Sequence, residues 1–476
     1  MRLIDLLPDA CATPAGDSRI TGFAIDHRKV APGTVFGAFK GARFNGEDYI
    51  GQAIADGAIA VVSAPGPAVS GAVHVADPEP RRAFARLAAK FFAPFPETTV
   101  AVTGTNGKTS TVELTRQLWR MAGFHAASIG TLGVTTADEQ VATGLTTPDI
   151  VTFLANMAGL QREGVTHAAF EASSHGLSQY RTEGLPVRVV AFTNLSRDHL
   201  DYHGTMEAYF TAKLRLFTEV VDQDGATVVW ADDPHSAEVI RAVRSRGVQL
   251  LSVGSHGEYI RLLERTPTAL GQSLKIEIDG KARELKLPLI GAYQAANSLV
   301  AAGLVIATGG EVDLTLSNLQ RVAPVRGRLE RAAITRTGAP VYIDYAHTPD
   351  GLEAAIAALR PHTRSRLITV FGAGGDRDTG KRPLMGEVAT RLSDRAIVTD
   401  DNPRSEDPAA IRRDVMAGAP GALEIGGRRE AIAAAIDDAQ GGDIVLIAGK
   451  GHEQGQIVGD RILPFDDVTV ARECAA

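Results

Sequence analysis

The stretch at residues 98–110, TTVAVTGTNGKTS, limits what the chain can fold into more than any other. Its β-branched start, Thr98 to Val102, reads as a short buried strand that stops at Gly104, and from Gly107-Lys108-Thr109 a helical pattern runs to Met121. A strand, a glycine loop and a helix in that order turn the main-chain N–H groups of Gly104, Thr105, Asn106 and Gly107 inward around an anion, where the helix N-terminus adds positive potential. Lys108 can bridge outer phosphates, and Thr109 or Ser110 can hold Mg2+. The loop suits a triphosphate. It is a shortened relative of G-x-x-x-x-G-K-[ST], which would place a glycine where Val102 stands.

At 476 residues the chain exceeds one hydrophobic core, and its length suggests about three domains. A net charge of −7 argues against a nucleic-acid or membrane-surface partner, since either favours a basic face. Asp5 and Asp9 interrupt what would have to be the apolar core of a leader in MRLIDLLPDA, and no apolar run approaches the ~18 residues that span a bilayer. The expectation is a cytoplasmic monomer. The two cysteines, Cys11 and Cys474, sit near opposite ends and read as free thiols.

The pattern predicts an α/β protein of three domains. Residues 1–78 form a small α/β unit, with strand-like GFAIDHR, VFGAF and AIAVVSA around a helical DYIGQAIADGA; APGPAVSGAVHVADPEP reads as loop and domain exit. Residues 79–325 carry the phosphate loop in a mostly parallel sheet, with apolar runs HAAFEAS, VRVVAFTNL and ATVVWAD and a preceding helix RRAFARLAAKFF. Glu171 ends one of those strands, where a nucleotide's Mg2+ needs a carboxylate. Residues 326–476 alternate strands VYIDYAH, RLITVFGAGGDRD, RAIVTDDNPR and DIVLIAGKGHE with helical segments, as in a Rossmann-like domain. Their four polar endings should meet in one crevice. There Arg377 and Arg404 offer planar forks for carboxylates and Glu453 an acceptor for an ammonium, the inventory of an amino-acid site.

Lys213 breaks its local pattern. In 205–217, TMEAYFTAKLRLF, Met206, Phe210 and Phe217 mark one helical face and Lys213 falls in its middle. Either it snorkels to the surface, or it meets a cation shared with Asp198, His199, Asp201 and His203 of the upstream NLSRDHLDYHG.

Taken together, GTNGKTS at 104–110, TTP at 146–148, EASSHGL at 171–177, TNLSRDHLDYHG at 193–204, AKLRLF at 212–217, AANS at 295–298, GRLE at 327–330, DYAHTPD at 344–350, GDRDTGKRP at 375–383, DNPR at 401–404 and GKGHE at 449–453 resemble the Mur ligase family across all three units. The resemblance implies a UDP-binding first domain, an ATP-binding centre and an amino-acid-binding C-terminal domain. It implies an ATP-dependent amide ligase that works through an acyl phosphate in peptidoglycan precursor synthesis, with UDP-N-acetylmuramoyl-L-alanyl-D-glutamate as the acid. DNPR, ending in Arg404, marks the members that add meso-diaminopimelate. By the same resemblance Lys213 is carboxylated and joins Thr109, Glu171 and His199 near Mg2+; Asn297, Arg328 and Asp344 contact the adenosine end of ATP; and Lys108, Lys213, His347 and Lys381 are catalytic. Ile25, His27, Thr146, Thr147, Ser173, Gln179 and Arg181 would hold the UDP-muramyl dipeptide. Arg377, Asp401, Asn402, Pro403, Arg404, Gly449 and Glu453 would bind the diamino acid. The sequence departs from the family's first-domain pattern at His27, where serine is frequent between Asp26 and Arg28, and at Ala42-Arg43-Phe44. Two rivals use the same loop: a folylpolyglutamate-type ligase, which gives no reason for the 1–78 unit, and a switch ATPase, which gives none for the amino-acid crevice.

Overall fold

The computed structural model describes residues 1–7, 17–41, 44–268 and 271–476; Cys11 and Ala42-Arg43 lie outside them. The strand Thr98–Thr103 is buried on both faces, Val100 and Val102 packing with Leu118 and Trp119 on one side and Ala101 with Phe153, Phe170 and Phe192 on the other. Consecutive apolar residues are what such a strand requires, and the β-branched run supplies them.

Around it runs an eleven-stranded sheet. Parallel neighbours Val189–Phe192 and His167–Glu171 flank the loop strand, with Val102 level with Glu171 and Thr103 level with Phe192. Both flanking strands therefore deliver their C-terminal ends to the phosphate loop. The helices Lys108–Met121 and Ala292–Ala307 pack together on one face, and Pro80–Phe92 and Ile150–Arg162 on the other. At one edge the strands Ile260–Thr268, Gly271–Ile278 and Lys281–Leu287 form an antiparallel extension that the parallel reading missed. Gly271–Ile278 alternates charged and apolar residues as a strand covered on one side does, while Ile260–Thr268 is mostly exposed and carries no apolar run to announce it.

The first sheet is all parallel, Gly22–Ala24, Thr34–Gly37, Ala58–Ser63 and Val73–Ala76 in sequence order. The last strand corrects the reading of APGPAVSGAVHVADPEP as loop. Val73–Ala76 is only half-buried, so it lacks the apolar run that announces a central strand. The helix Pro80–Phe92 packs on this sheet through Phe84, which meets Phe23 and Phe39 edge-on.

The third sheet runs Arg328–Ile334, Pro340–Asp344, Ile444–Ala448, Leu367–Phe371, Arg395–Val398, Leu423–Glu424, antiparallel only in its first pair. The four strands expected from the sequence are adjacent and parallel, and their endings converge. Helices Pro349–Leu359, Lys381–Leu392 and Pro408–Met416 cover one face, Arg428–Asp438 and Asp467–Ala475 the other. Among the described residues no helix is long and apolar enough to cross a membrane.

Fully buried Arg428 pairs with fully buried Asp467, Nε to Oδ1 at 2.8 Å and Nη2 to Oδ2 at 2.6 Å, and also donates to the carbonyls of Ala448, at 3.0 Å, and Asp400, at 3.3 Å. One guanidinium thereby ties together two strand endings that build the crevice. Asp467→Ala strands that cation in the core and should cost about 3–5 kcal/mol of unfolding free energy, measured by denaturant titration; a loss below ~1 kcal/mol would contradict the assignment.

Candidate active site

Gly107 enters the helix Lys108–Met121 with φ 86°, a left-handed conformation that favours glycine, and Asn297 Oδ1 lies where a Cβ would stand. The loop is pinned from outside: Asn106 N–H donates to Asn194 Oδ1 at 2.9 Å, Ser196 N–H to Thr105 Oγ1 at 3.0 Å, and Thr193 Oγ1 to Asn106 O at 2.6 Å. A rigid cradle results, with Asn297 against its glycine.

Lys108 Nζ donates to Gly104 O at 2.9 Å and to Thr105 O at 2.8 Å. Lys213 Nζ donates to the same Gly104 carbonyl at 2.7 Å and lies 4.4 Å from the centre of the Tyr209 ring. Lys213 is 1% exposed, which removes the snorkelling alternative. Of the upstream set, Asp198, His199 and His203 lie within electrostatic reach of Lys213, and none of the four, Asp201 included, is hydrogen-bonded to its amine among the described residues. His203 Nε2 pairs with the Ser174 hydroxyl at 3.0 Å, His199 sits 3.5 Å from Asp198, and among the described residues no three His, Cys, Asp or Glu side chains are arranged to hold a metal. The helix itself stops at Arg215; Leu216–Val220 form a π turn, so Phe217 reaches the core from there rather than along the predicted α-helical face. Burial, and then the charge of Lys108, hold the Lys213 amine well below the usual lysine range, while Asp198 opposes them. Burial likewise lowers Lys108.

Glu171 is buried, and its carboxylate meets neutral donors: the Thr109 hydroxyl at 2.9 Å, Thr131 N–H at 2.7 Å and the Thr131 hydroxyl at 3.1 Å. Its main-chain oxygen accepts from Thr147 Oγ1 at 2.7 Å. From there the set predicted for the muramyl dipeptide is continuous. Thr131 Oγ1 meets Thr146 Oγ1 at 3.1 Å, Ser173 N–H donates to Thr147 Oγ1 at 3.0 Å, and Arg181 donates to Thr147 O at 2.7 Å and to Gln179 Oε1 at 2.8 Å. Ser173 Oγ caps the helix Ser174–Ser178 by accepting from Gly176 N–H.

In the C-terminal crevice, Asn402 Nδ2 donates to Glu453 Oε2 at 2.8 Å and Lys450 Nζ to the same oxygen at 3.1 Å. Arg404 Nη1 donates to Gly375 O at 2.7 Å, Gly449 N–H to Asp344 O at 3.1 Å, and Lys381 Nζ to His347 O at 2.9 Å. Pro403 lies buried between Asn402 and Arg404, and Arg377 stands exposed on its loop. Asp344 accepts from Leu329 N–H and Ala346 N–H, both at 2.8 Å, and burial raises its pKa. Burial, then the charge of Lys381, lower that of His347.

Arg328 joins the two halves. Its Nη2 donates to Thr109 Oγ1 at 3.1 Å, its guanidinium lies 4.4 Å over the Tyr345 ring, and its carbonyl accepts from Gln294 at 3.0 Å. The first domain stands differently. Arg28 is spent on Asp26, Nη2 to Oδ2 at 2.7 Å, so Asp26-His27-Arg28 is satisfied within itself; His27 stacks flat on Tyr49 at 4.0 Å, and Ile25 packs at the edge of the core.

Sequence reasoning assigned no role to Tyr209, Gln294, Tyr345 or Lys450. Tyr345 and Lys450 lie inside the quoted motifs DYAHTPD and GKGHE. Tyr209 and Gln294 stand one helical turn from Lys213 and Asn297, spacings that offered a signal.

A strand–glycine loop–helix of phosphate-loop form beside a crevice lined by Asn402, Arg404 and Glu453 is the architecture of a nucleotide-dependent ligase. Three family models match: Mur ligase family, catalytic domain, over 19–92; Mur ligase middle domain over 102–305; and Mur ligase, glutamate ligase domain, over 327–451. The chain belongs to the Mur ligase family. A Zymomonas mobilis protein named UDP-N-acetylmuramoyl-L-alanyl-D-glutamate–2,6-diaminopimelate ligase is 59% identical over 96% of this chain and 95% of its own. A solved structure of a ligase with that name superposes with a TM-score of 0.74 at 31% identity, covering 100% of this chain and 98% of the other. Mycobacterium tuberculosis folylpolyglutamate synthase complexed with ADP shares the fold, with a TM-score of 0.63 at 21% identity over 78% of this chain and 92% of its own.

Gly107→Ala sets a methyl against Asn297 in a left-handed conformation. It should weaken ATP binding by ~1–3 kcal/mol, read by calorimetry; an unchanged Kd would remove the loop from the nucleotide site.

Proposed function

We propose that the chain is an ATP-dependent amide ligase that joins meso-diaminopimelate to a D-glutamyl carboxylate of UDP-N-acetylmuramoyl-L-alanyl-D-glutamate, in the cytoplasm and as a monomer. The observation that carries this reading is the meeting, through Arg328, of the phosphate loop with a crevice that offers Arg404 and Glu453. We assign 1–78 to the UDP moiety, with Ile25 and His27 beside it, 79–325 to ATP and the dipeptide, and 326–476 to the amino acid.

An amine cannot displace oxide from a carboxylate. Transfer of the γ-phosphoryl group of ATP to a carboxylate oxygen yields an acyl phosphate and ADP. The amine nitrogen then bonds to the acyl carbon through a tetrahedral intermediate, the C–O bond to phosphate breaks, and the amine loses a proton. Lys108 stands ready for the charge on the transferred group, whereas the N–H groups of Thr105 and Asn106, expected to turn toward an anion, are spent on Asn194 at 2.9 Å each. Thr146, Thr147, Ser173, Gln179 and Arg181 hold the dipeptide, and Asn297, Arg328 and Asp344 the adenosine end of ATP. His347 and Lys381 line the reacting centre. Arg377, Asp401, Asn402, Pro403, Arg404, Gly449 and Glu453 receive the zwitterion.

Mg2+ fits this site. A buried carboxylate met only by neutral donors, with a hydroxyl 2.9 Å away, suits an ion whose other ligands are phosphate oxygens and water. Thr109, Glu171 and His199 would hold it. When bound it neutralises charge on the phosphoryl group. Lys213, its amine held well below the usual lysine range by burial and set on the Gly104 carbonyl, is disposed to add CO2: nitrogen bonds to carbon, a proton leaves, and the carbamate offers oxygen ligands.

Phosphate release in ATP, Mg2+ and UDP-muramyl dipeptide should depend on meso-diaminopimelate and not on L-lysine; equal turnover with both overturns the substrate. Arg404→Ala should cost ~2–4 kcal/mol, mostly as a raised KM for the amino acid, with KM for ATP unmoved. Lys213→Ala should abolish turnover and regain part of it with short-chain carboxylates; undiminished turnover would return Lys213 to a packing role.

A further inference from the structure

We propose that the hairpin of Gly455–Val458 and Arg461–Pro464 aims both poles of the amino-acid crevice, and that Gln456 and Gly459 are positioning residues that set which amino acid is accepted. The inference rests on the reading of Arg404 and Glu453 given above.

Arg404 has φ 53°, a left-handed conformation that an arginine seldom adopts, so its own loop does not account for it. Both of its main-chain polar groups are spent on the hairpin: its N–H donates to Ile457 O at 3.0 Å, and its carbonyl accepts from Gly459 N–H at 2.7 Å. The guanidinium then points the other way, to Gly375 O at 2.7 Å. Two further bonds extend the grip along the loop, Gln456 Nε2 to Asp401 O at 2.6 Å and Ile457 N–H to Asn402 Oδ1 at 3.0 Å.

The last of these fixes the second pole. Asn402 Oδ1 also accepts from Lys450 Nζ at 3.0 Å, so the carboxamide oxygen is committed and its Nδ2 must face Glu453 Oε2, 2.8 Å away. An amide held in one orientation holds the carboxylate it touches.

The hairpin does not owe its place to the core. Ile462 is 71% exposed, and Val458 and Leu463 are exposed beside it. What orders it, among the described residues, is its bonding to 401–404, and the dependence is mutual. A change in the hairpin therefore reaches the ligand through Arg404 and Asn402 while leaving the nucleotide loop alone.

Gly459 has φ 58° and open space where a Cβ would lie, so Gly459→Val strains the turn without a packing clash. Gln456→Ala removes one bond to the loop. Each variant of the full chain should raise KM for meso-diaminopimelate about 5–30-fold with kcat within about twofold, leave KM for ATP and UDP-muramyl dipeptide unchanged, and lower the ratio of kcat/KM for meso-diaminopimelate over L-lysine. Unaltered KM and selectivity in both variants, or all three KM values rising together, would overturn the proposal. Absence of diaminopimelate-dependent turnover in the unmodified chain would instead sink the function proposed above.

Discussion

The geometry of the site depends on one guanidinium. Arg328, at the start of the C-terminal sheet, donates to the hydroxyl of Thr109 at the mouth of the phosphate loop while its guanidinium lies 4.4 Å over the Tyr345 ring. A planar, delocalised cation can stack and donate at once, which an ammonium cannot. The Thr109 hydroxyl in turn donates a hydrogen bond to Glu171, so the strand Arg328–Ile334, the helix Lys108–Met121 and a buried carboxylate are joined through two hydrogen bonds. Whatever opens or closes the two domains must break or remake this contact.

The second constraint is electrostatic. The chain is acidic overall, yet Lys108 and Lys213 place two amines on one carbonyl, with Arg328 beside them. No carboxylate is bonded directly to either lysine among the described residues. Like charges crowded around a neutral acceptor are costly, and the cost is relieved either by loss of a proton or by arrival of an anion. Burial first, and then this crowding, depress Lys213, and the same crowding prepares the loop for a polyphosphate.

Much of this was legible in the sequence because α/β architecture writes itself in consecutive apolar residues. Pro340–Asp344, Leu367–Phe371, Arg395–Val398 and Ile444–Ala448 each end in the polar groups that meet in the crevice, and four adjacent parallel strands leave those groups no other place to go. Lys213 was flagged because it violated its helix. Its true acceptor, a carbonyl 109 residues away in the chain, carries no side-chain signature and could not be read from composition or period. Val73–Ala76 was hidden by half-burial, and the antiparallel extension by charge on its open face. Hairpin residues such as Gln456 act through main-chain oxygens, which no motif records.

Glu171 belongs to two pockets at once. Its carboxylate meets Thr109 and Thr131 beside the loop, while its carbonyl takes the hydroxyl of Thr147, which is bonded in turn to Ser173 and Arg181, two residues proposed above for the acid substrate. A single residue thus links the surroundings of both. Any coupling carried by that unit is reciprocal: whatever factor one ligand imposes on the affinity for the other is returned in equal measure.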